Sequence, residues 1–174
     1  MAHYRIVPER SRVWIDGRSS LHPIHSTTDG LEGFIEIEAQ EEGRVTLATP
    51  PVGRLSLPLD RLSSGNGFED RELHRRIEIK RYPTIKGVLT NMDRVDGDCR
   101  YRVSGDLEFR GVTRPCQDEM SVEVVDERTL RLEGESTFDI RDFGMEPPRL
   151  LMLRVEPEVV VRVEIIAEIE ERVT

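Results

Sequence analysis

Aromatic residues and cysteine are both scarce in this sequence. Phe, Trp and Tyr together make up 5% of its 174 residues, and the cysteines are Cys99 and Cys116. Two thiols are too few for a disulfide framework, and neither cysteine has the spacing of a metal ligand. A chain of this length can bury a core of its own. We therefore expect two free thiols, as in a reducing compartment, and a fold that needs neither disulfide bonds nor a metal ion.

Long hydrophobic runs are also missing. The most apolar stretch lies near the C-terminus, where Arg162 and Glu164 interrupt it, and a membrane-spanning helix needs roughly 20 apolar residues in a row. The opening, MAHYRIVPERSRVWIDG, has no apolar segment and no small-residue cleavage site of the kind found in secretory leaders. We expect a cytoplasmic protein without a membrane span.

Positive charge is in the minority. The sequence has 25 Lys and Arg against 34 Asp and Glu, a formal net charge of −9. An acidic surface repels phosphate backbones and anionic lipid head groups. We therefore expect no nucleic-acid partner.

The residues also lack a catalytic constellation. His22 and His25 are three apart in Leu-His-Pro-Ile-His, so on a strand they point to opposite faces, and a polar pair at a strand end is favoured over a metal site. No serine lies in a nucleophile elbow, and no glycine loop could cradle a phosphate. The string Arg141-Asp-Phe-Gly144 stands without the other kinase elements. We expect no enzymatic activity, no cofactor and no metal.

Apolar and polar residues alternate along most of the chain, most clearly from Val155 to Ile169. This period of two predicts strands with one buried face. Turn signals such as Asp29-Gly30 and Asp96-Gly97 separate the runs. Strands at this spacing predict a sandwich or a barrel, and their length favours a barrel, because closure removes exposed edges. The alternation points these side chains inward: Phe109, Phe138, Val161, Val163 and Ile165, with Glu164 and Glu168 pointing to solvent.

One segment breaks the alternation. Residues 68–78 carry acidic residues early and basic residues late, as suits the dipole of a helix. Leu73 and Ile77 are four apart and share a helix face, and Ser63, Ser64 and Asn66 are candidate N-caps. The sequence therefore predicts one short helix at 68–78 within a single domain that spans residues 1–174.

Three segments occur in a characteristic order: Asp70-Arg-Glu-Leu73 with Arg81-Tyr-Pro-Thr-Ile85, then GDLEFRGVTRP at 105–115, then FDIRDFG at 138–144. Together they resemble the YceI-like family of polyisoprenoid-binding, lipocalin-like proteins. The opening Trp14-Ile-Asp16 fits the same family, and the resemblance covers essentially the whole chain. It implies an eight-stranded antiparallel barrel with a helix near one end. It also implies an elongated apolar cavity that holds a long isoprenoid or a related lipid.

We therefore expect a protein that binds one long-chain apolar lipid inside the barrel, under a mouth closed by the helix and by the loop at 142–150. Arg71, Arg75 or Arg76 can meet a pyrophosphate head group, because guanidinium suits phosphate. Pairing of these arginines with neighbouring glutamates at the surface explains them equally well. The candidate ligand-binding residues are Arg71, Leu73, Arg75, Ile77, Tyr82, Ile85, Leu107, Phe109, Phe138, Phe143, Val161 and Val163.

Two questions stay open at this level. The first is whether the interior is a cavity or is packed with the barrel's own side chains, since the same branched aliphatic residues serve either purpose. A packed barrel would indicate a ligand-free structural or stress-related interaction protein instead of a lipid carrier. The second is the oligomeric state, with which a homodimer is compatible.

Overall fold

The computed structural model describes residues 1–40, 43–95, 97, 99–147, 149–150 and 153–171. One α-helix, α1 (Gly67–Ile77), and two 3-10 turns, Pro8–Arg10 and Ile140–Phe143, accompany the strands. In chain order the strands are β1 (Ala2–Ile6), β2 (Arg12–Arg18), β3 (Pro23–Thr28), β4 (Glu32–Ala39), β5 (Val45–Thr46), β6 (Val52–Pro58), β7 (Thr84–Arg94), β8 (Arg100–Phe109), β9 (Val112–Asp126), β10 (Thr129–Asp139), β11 (Arg149–Leu150), β12 (Leu153–Arg154) and β13 (Glu158–Ile169).

Eight of these strands form a closed antiparallel ring. Their order is β1-β4-β6-β7-β8-β9-β10-β13, and β13 pairs with β1 to complete the circle. The short β5 pairs with β4, and β11 pairs with β12 as a separate ribbon. The predicted fold, an all-β, eight-stranded barrel with one inserted helix, is confirmed.

Strand β13 has two partners on one of its sides. Its last residues pair with β1, as in Tyr4 opposite Ile169, and its first residues pair with β2, as in Trp14 opposite Arg162. The 3-10 turn at Pro8–Arg10 separates β1 from β2. Strand β2 then pairs with β3, so the wall changes strands partway along the barrel.

The end of the barrel that holds the β7–β8 and β9–β10 turns is called the base. Its interior is densely packed: Tyr4 is 2% exposed, and Ile37, Tyr101 and Leu130 are completely buried. The β8–β9, β9–β10 and β10–β13 ladders run to this end of the barrel, whereas the β6–β7 ladder ends at Arg54 opposite Val88 and the end of β4 pairs with β5. The base is therefore a solid core of the kind that stabilises small domains.

At the opposite end, called the helix end, the ring divides into two four-stranded sheets, β10-β13-β2-β3 and β6-β7-β8-β9. One seam between them, from β3 to β6, is bridged by the segment 59–66, where Thr27 pairs with Ser63. The other seam, between β9 and β10, opens after Met120 pairs with Gly134. The β9–β10 ladder is thus closed at the base and open at the helix end.

The inward phase of the strands is the one that the alternation predicts. Glu164 and Glu168 lie on the outside, where they contact Arg131 (3.6 Å) and Arg10 (2.7 Å). The side chains that face the interior include Phe109, Phe138, Val161, Val163 and Ile165. A shift of one residue in the register would have reversed every one of these positions, so the assignment of faces is confirmed.

Helix α1 begins and ends one residue earlier than predicted. The side-chain oxygen of Asn66 accepts hydrogen bonds from the backbone N–H groups of Phe68 (3.1 Å) and Glu69 (3.3 Å), which makes it the N-cap. The helix ends at Ile77, and its C-cap is Glu78, whose φ of 58° is left-handed. Buried Ile77 anchors the helix to a second core at the helix end, formed by Leu59, Leu62, Ile77, Phe109, Phe143 and Met145.

Both cysteines are free, as predicted. Their sulfur atoms lie near backbone carbonyl oxygens, Cys99 Sγ at 3.8 Å from Gly43 and Cys116 Sγ at 3.5 Å from Gly105. In the part of the chain that the structure describes, no helix has the length and apolar character needed to cross a membrane.

Candidate functional site: an apolar cavity with a lateral slot

A cavity of about 430 Å³ lies between the base and the core at the helix end. Its volume falls within the range of known ligand sites, roughly 300–1,000 Å³. The wall is almost entirely apolar and is contributed by both sheets. The aliphatic part of the wall includes Ile15, Leu55, Leu57, Ile85, Leu107, Leu132, Val159, Val161 and Val163.

Glycines occupy inward positions around this space. Glycine replaces an inward side chain on five different strands, and each of these residues borders the cavity: Gly17, Gly53, Gly87, Gly105 and Gly134. A glycine inside a strand leaves no side chain to pack and often marks close approach by a ligand or another backbone. A Cβ atom would meet its nearest neighbour at 3.8 Å at Gly17 and at 3.4 Å at Gly53, but at 2.7–3.1 Å at the other three, which therefore mark close packing. Space for a side chain is open at Gly17 and Gly53. Glycine in the inward phase is legible in the sequence, but these positions were not among the predicted site residues.

Nine of the twelve candidate ligand-binding residues border the cavity. Helix α1 contributes two of them, the 3-10 turn after β10 contributes one, and the barrel strands contribute the others. They are Leu73, Ile77, Ile85, Leu107, Phe109, Phe138, Phe143, Val161 and Val163.

The other three candidates lie outside the cavity. The Nε of Arg71 donates to the carbonyl of Gly67 in the preceding turn, and Arg75 forms an ion pair with Glu72 at 2.8 Å. Tyr82 packs on the outer surface beside Gly111 and beneath the guanidinium of Arg81, 5.1 Å from its ring centre. The alternative of surface pairing was therefore correct for Arg75. The helix turns its apolar face to the cavity, so its arginines point away.

The face of α1 that reaches the cavity carries acidic rather than basic residues. Glu69, Asp70 and Leu73 border the cavity. The Asp70 carboxylate accepts hydrogen bonds from the backbone N–H (2.8 Å) and the hydroxyl (2.7 Å) of Ser64. These bonds fix the loop before the helix. The loop at 142–150 contributes Phe143 and Met145 to the cover, while residue 148 lies outside the described residues.

The open seam forms a slot in the cavity wall. Strand β9 keeps its pairing with β8 as far as Val112, and β10 keeps its pairing with β13 as far as Asp139, but β9 and β10 do not pair with each other beyond Gly134. The gap, between residues 115–119 and 135–139, is about 16 Å long at the usual rise of a strand. Its inward side chains are Cys116, Asp118, Ser136 and Phe138, and we call it the β9–β10 slot.

Three hydrogen bonds link the two sheets across this seam within the described residues, and one of them runs from the Arg110 side chain in the β8–β9 turn to the carbonyl oxygen of Gly144 at 2.7 Å. The hydroxyl of Ser136 donates to the carboxylate of Asp118 in the middle of the slot. At the helix end, the Nε of Arg114 donates to the carbonyl oxygen of Asp142 at 2.9 Å. Side chains rather than a backbone ladder therefore hold the slot together, and Asp118 is exposed although it occupies an inward position of its strand.

Two further groups in the wall bear on its chemistry. Ser26 borders the cavity, is 5% exposed, and its hydroxyl has no hydrogen-bond partner among the described residues. Burial raises the pKa of the Cys116 thiol, and the negative charges of Asp118 and Asp106 raise it further. The thiol is therefore neutral at physiological pH, and the field around the slot is negative.

The histidines have local partners. His25 Nδ1 lies 2.7 Å from the carboxylate of Asp16, which faces it across the β2–β3 pair. His22 Nδ1 lies 3.0 Å from the carbonyl oxygen of Pro23. The described residues contain no cluster of three or more His, Cys, Asp or Glu that could hold a metal ion.

The sequence profile of the YceI-like domain matches residues 4–167. No curated protein matches the chain.

Among solved structures, BcnA of Burkholderia cenocepacia superposes with a TM-score of 0.77 at 13% identity, over 92% of this chain and 98% of that one. A polyisoprenoid-binding domain from Saccharophagus degradans, implicated in plant cell wall breakdown, gives 0.78 at 14% identity, over 98% and 100%. The YceI protein of Campylobacter jejuni gives 0.65 at 12% identity, over 84% and 85%.

Proposed function

The chain belongs to the YceI-like domain family, and from that premise we propose that it binds one long-chain apolar lipid, an isoprenoid, in the barrel interior. One observation carries the proposal, the apolar cavity of about 430 Å³ between two packed cores. The description of the Saccharophagus degradans neighbour as a polyisoprenoid-binding domain supports it.

The cavity has the size of sites that bury drug-sized ligands, roughly 300–1,000 Å³. A chain of about 14 methylene or methyl groups is a ligand of suitable size for such a site. This matches a farnesyl chain. Burial of each group contributes about 0.8 kcal/mol, so the gross gain is about 11 kcal/mol before the cost of association. With several kcal/mol lost to ordering, we expect micromolar affinity.

The alternative of a ligand-free structural protein requires a barrel filled by its own side chains. The inward glycines on β2 and β6 argue against that arrangement, since Gly17 and Gly53 border the cavity and a Cβ atom at either position would meet nothing closer than 3.4 Å. Binding is proposed in preference to catalysis, because the groups that border the cavity are overwhelmingly aliphatic. Two free thiols suit a reducing compartment, so we also propose that the protein works in the cytoplasm.

Filling the cavity provides the test. A Cβ atom at Gly17 would meet Val159 at an ordinary 3.8 Å, and one at Gly53 would meet Leu89 at 3.4 Å. The double variant Gly17→Val, Gly53→Val should fold, since both changes add β-branched residues to strands, and should bind farnesol at least about tenfold more weakly because it loses room for several carbons. Native mass spectrometry with farnesol and geranylgeraniol measures the adduct.

Thr137→Val is the matched control, because it places a valine on an exposed outward position of β10. It should bind as the unmodified protein does. Binding of all prenyl compounds by the filled variant at unchanged affinity would rule out the cavity as their site. Failure of the unmodified protein to bind any of them would overturn the proposed function.

A further inference from the structure

The β9–β10 slot exposes the inside of the cavity to solvent at one defined place. Its two edges are strands that remain paired on their other sides, so the opening is a feature of the pairing and not a frayed end. At its border with the base, the Met120–Gly134 pair closes it, and a Cβ atom at Gly134 would lie 2.8 Å from the Met120 side chain. A chain lying in the cavity therefore has a route to the surface through the wall of the barrel.

The charges around this opening are mostly negative. Asp118 projects from the inward phase into the slot and has no ion-pair partner among the described residues. Glu119 and Glu135 stand at its outer rim, and Arg100 pairs with Glu119 at 3.0 Å. Arg162, opposite Glu135 on β13, lies over the Trp14 ring at 4.4 Å. At the helix end of the slot, the Nε of Arg114 donates to the carbonyl oxygen of Asp142 at 2.9 Å. These three arginines are thus engaged, and the charged group in the inward phase of the slot is a carboxylate.

The cavity wall offers no cation to an anionic ligand. Arg54 is the one basic residue that borders the cavity in the described part of the chain, and it occupies an exposed, outward position of β6. On the barrel strands, the polar groups in the inward phase that border the cavity are the hydroxyls of Ser26 and Ser136, the thiol of Cys116 and the carboxylate of Asp118, and helix α1 adds the carboxylates of Glu69 and Asp70. Ser26 and Ser136 stand in one cross-strand row, with Val161 and Ile15 between them.

We propose that the polar end of the bound lipid lies in the β9–β10 slot, and that the slot selects an uncharged hydrogen-bonding end group, such as an alcohol or an amide, over a phosphate or a carboxylate. This inference rests on the proposed function and specifies the class of lipid. An alcohol or an amide donates a hydrogen bond to the Asp118 carboxylate, which can accept further bonds beside the one from the Ser136 hydroxyl. A phosphate or a carboxylate in the same place is repelled by the negative charge of Asp118, which lowers its affinity by at least about tenfold.

Ligands that share one chain and differ in the end group test the selection. Farnesol, farnesyl diphosphate and farnesoic acid are each titrated into the protein, and their affinities are compared by native mass spectrometry and by competition. The alcohol should bind at least about tenfold more tightly than either anion, in line with the usual cost of juxtaposed like charges. Equal affinities would overturn the selection and leave the proposed function standing, whereas binding of none would overturn both.

A charge variant assigns the selection to the slot. Asp118→Asn keeps a side-chain oxygen that can accept from Ser136 and removes the negative charge. The ratio of alcohol affinity to diphosphate affinity should fall several-fold in this variant. Glu123→Gln is the control, because Glu123 is an exposed residue of the same strand beside the base and changes the net charge equally. An unchanged ratio in Asp118→Asn, or an equal fall in Glu123→Gln, would contradict the proposal.

Cys116 reports on where the end group lies. The thiol borders the slot and is half-buried, while Cys99 is half-buried near the β7–β8 turn, away from the cavity. Bound farnesol should slow alkylation of Cys116 by N-ethylmaleimide several-fold and leave that of Cys99 unchanged. If farnesol binds and both thiols react at their original rates, the end group lies elsewhere and the inference is wrong.

Discussion

The two halves of the barrel are built from the same strands with the same alternation, yet the base is solid, whereas a cavity lies between it and the thin core at the helix end. At the base, large inward residues such as Tyr101 and Leu130 belong to one core and are completely buried. Toward the helix end, the inward position at Gly17 carries no side chain, and the ring divides into two sheets. Alternation therefore decides which side chains face inward, whereas their size and the continuity of pairing decide whether the walls touch.

The base and the helix end also have different roles, the base in stability and the helix end in binding. The base can hold the strands together because its core is densely packed and the β8–β9, β9–β10 and β10–β13 ladders extend into it. The helix end needs only a thin cover, the core around Ile77 and Phe143. Changes at the base should therefore cost stability, and changes at the helix end should alter binding.

Matched leucine truncations should show the largest difference between the ends. Leu130→Ala at the base should lower the free energy of unfolding by about 2–5 kcal/mol, because it opens a void in a packed core. Leu107→Ala borders space that already exists, so its cost should be about 1 kcal/mol, mainly the transfer term. Urea unfolding, followed by the fluorescence of Trp14, measures both. Equal losses would show that the two ends do not differ in packing.

Removal of the helix cap should have a smaller effect. Asn66→Ala deprives Phe68 and Glu69 of their side-chain acceptor, which typically costs about 1 kcal/mol. Because the helix covers the cavity, lipid should also dissociate faster. Asn91→Ala, on an exposed strand position where the side chain contacts Asp93 alone, is the control. A cap variant with unchanged dissociation would mean that the lipid does not leave past the helix.

Partial filling of the hollow end should slightly stabilise the empty protein. Gly17→Ala adds a methyl group that meets Val159 at 3.8 Å and restricts the unfolded chain, which is worth about 0.5 kcal/mol where the backbone conformation suits alanine. The thermal midpoint of the lipid-free protein should rise, and farnesol affinity should fall slightly. A lower midpoint would indicate that the wall at Gly17 cannot accept a side chain.

Acid should loosen the helix end by a small amount through Asp139. Hydrogen bonds from the Arg141 side chain and backbone lower the pKa of this carboxyl in the folded protein. A lowered pKa in the folded state contributes stability above the unfolded value, about 3.9, and this contribution is lost as pH falls through the folded value. The difference in urea midpoint between the protein and Asp139→Asn should therefore shrink between pH 5 and pH 2. A constant difference would exclude this link.

Much of the fold is legible in the sequence because it depends on local patterns. The alternation gives the inward faces of the strands, and the order of charges with the Asn66 cap locates the helix to within one residue. The turn at Pro8–Arg10, which divides β1 from β2, leaves no comparable signal, because the strand change depends on how β13 is shared between two partners.

The candidate site is predicted less completely, for the same physical reason. The branched residues of the wall follow from the inward phase, but Arg71 and Tyr82 do not belong to it, since helix rotation and the path after the helix are set by tertiary packing. The slot leaves no signal in the sequence. Gly134 pairs with Met120 and the next residue, Glu135, has no partner on β9, yet the alternation of apolar and polar residues continues unchanged. The residue at which the β9–β10 pairing ends depends on the curvature of the two sheets. The alternation of apolar and polar residues in β9 and β10 does not encode that curvature.

The double partnership of β13 has a consequence for how the barrel forms. This strand is the last of the ring strands in the chain. Among the described residues, β1 pairs with two ring strands, β4 and β13. Ser11 donates to the carbonyl of Ile166 across a separation of 155 residues. Contacts so distant in sequence slow folding, because the loop must close before they contribute. During synthesis, β1 and β2 therefore keep one edge unpaired until β13 has left the ribosome.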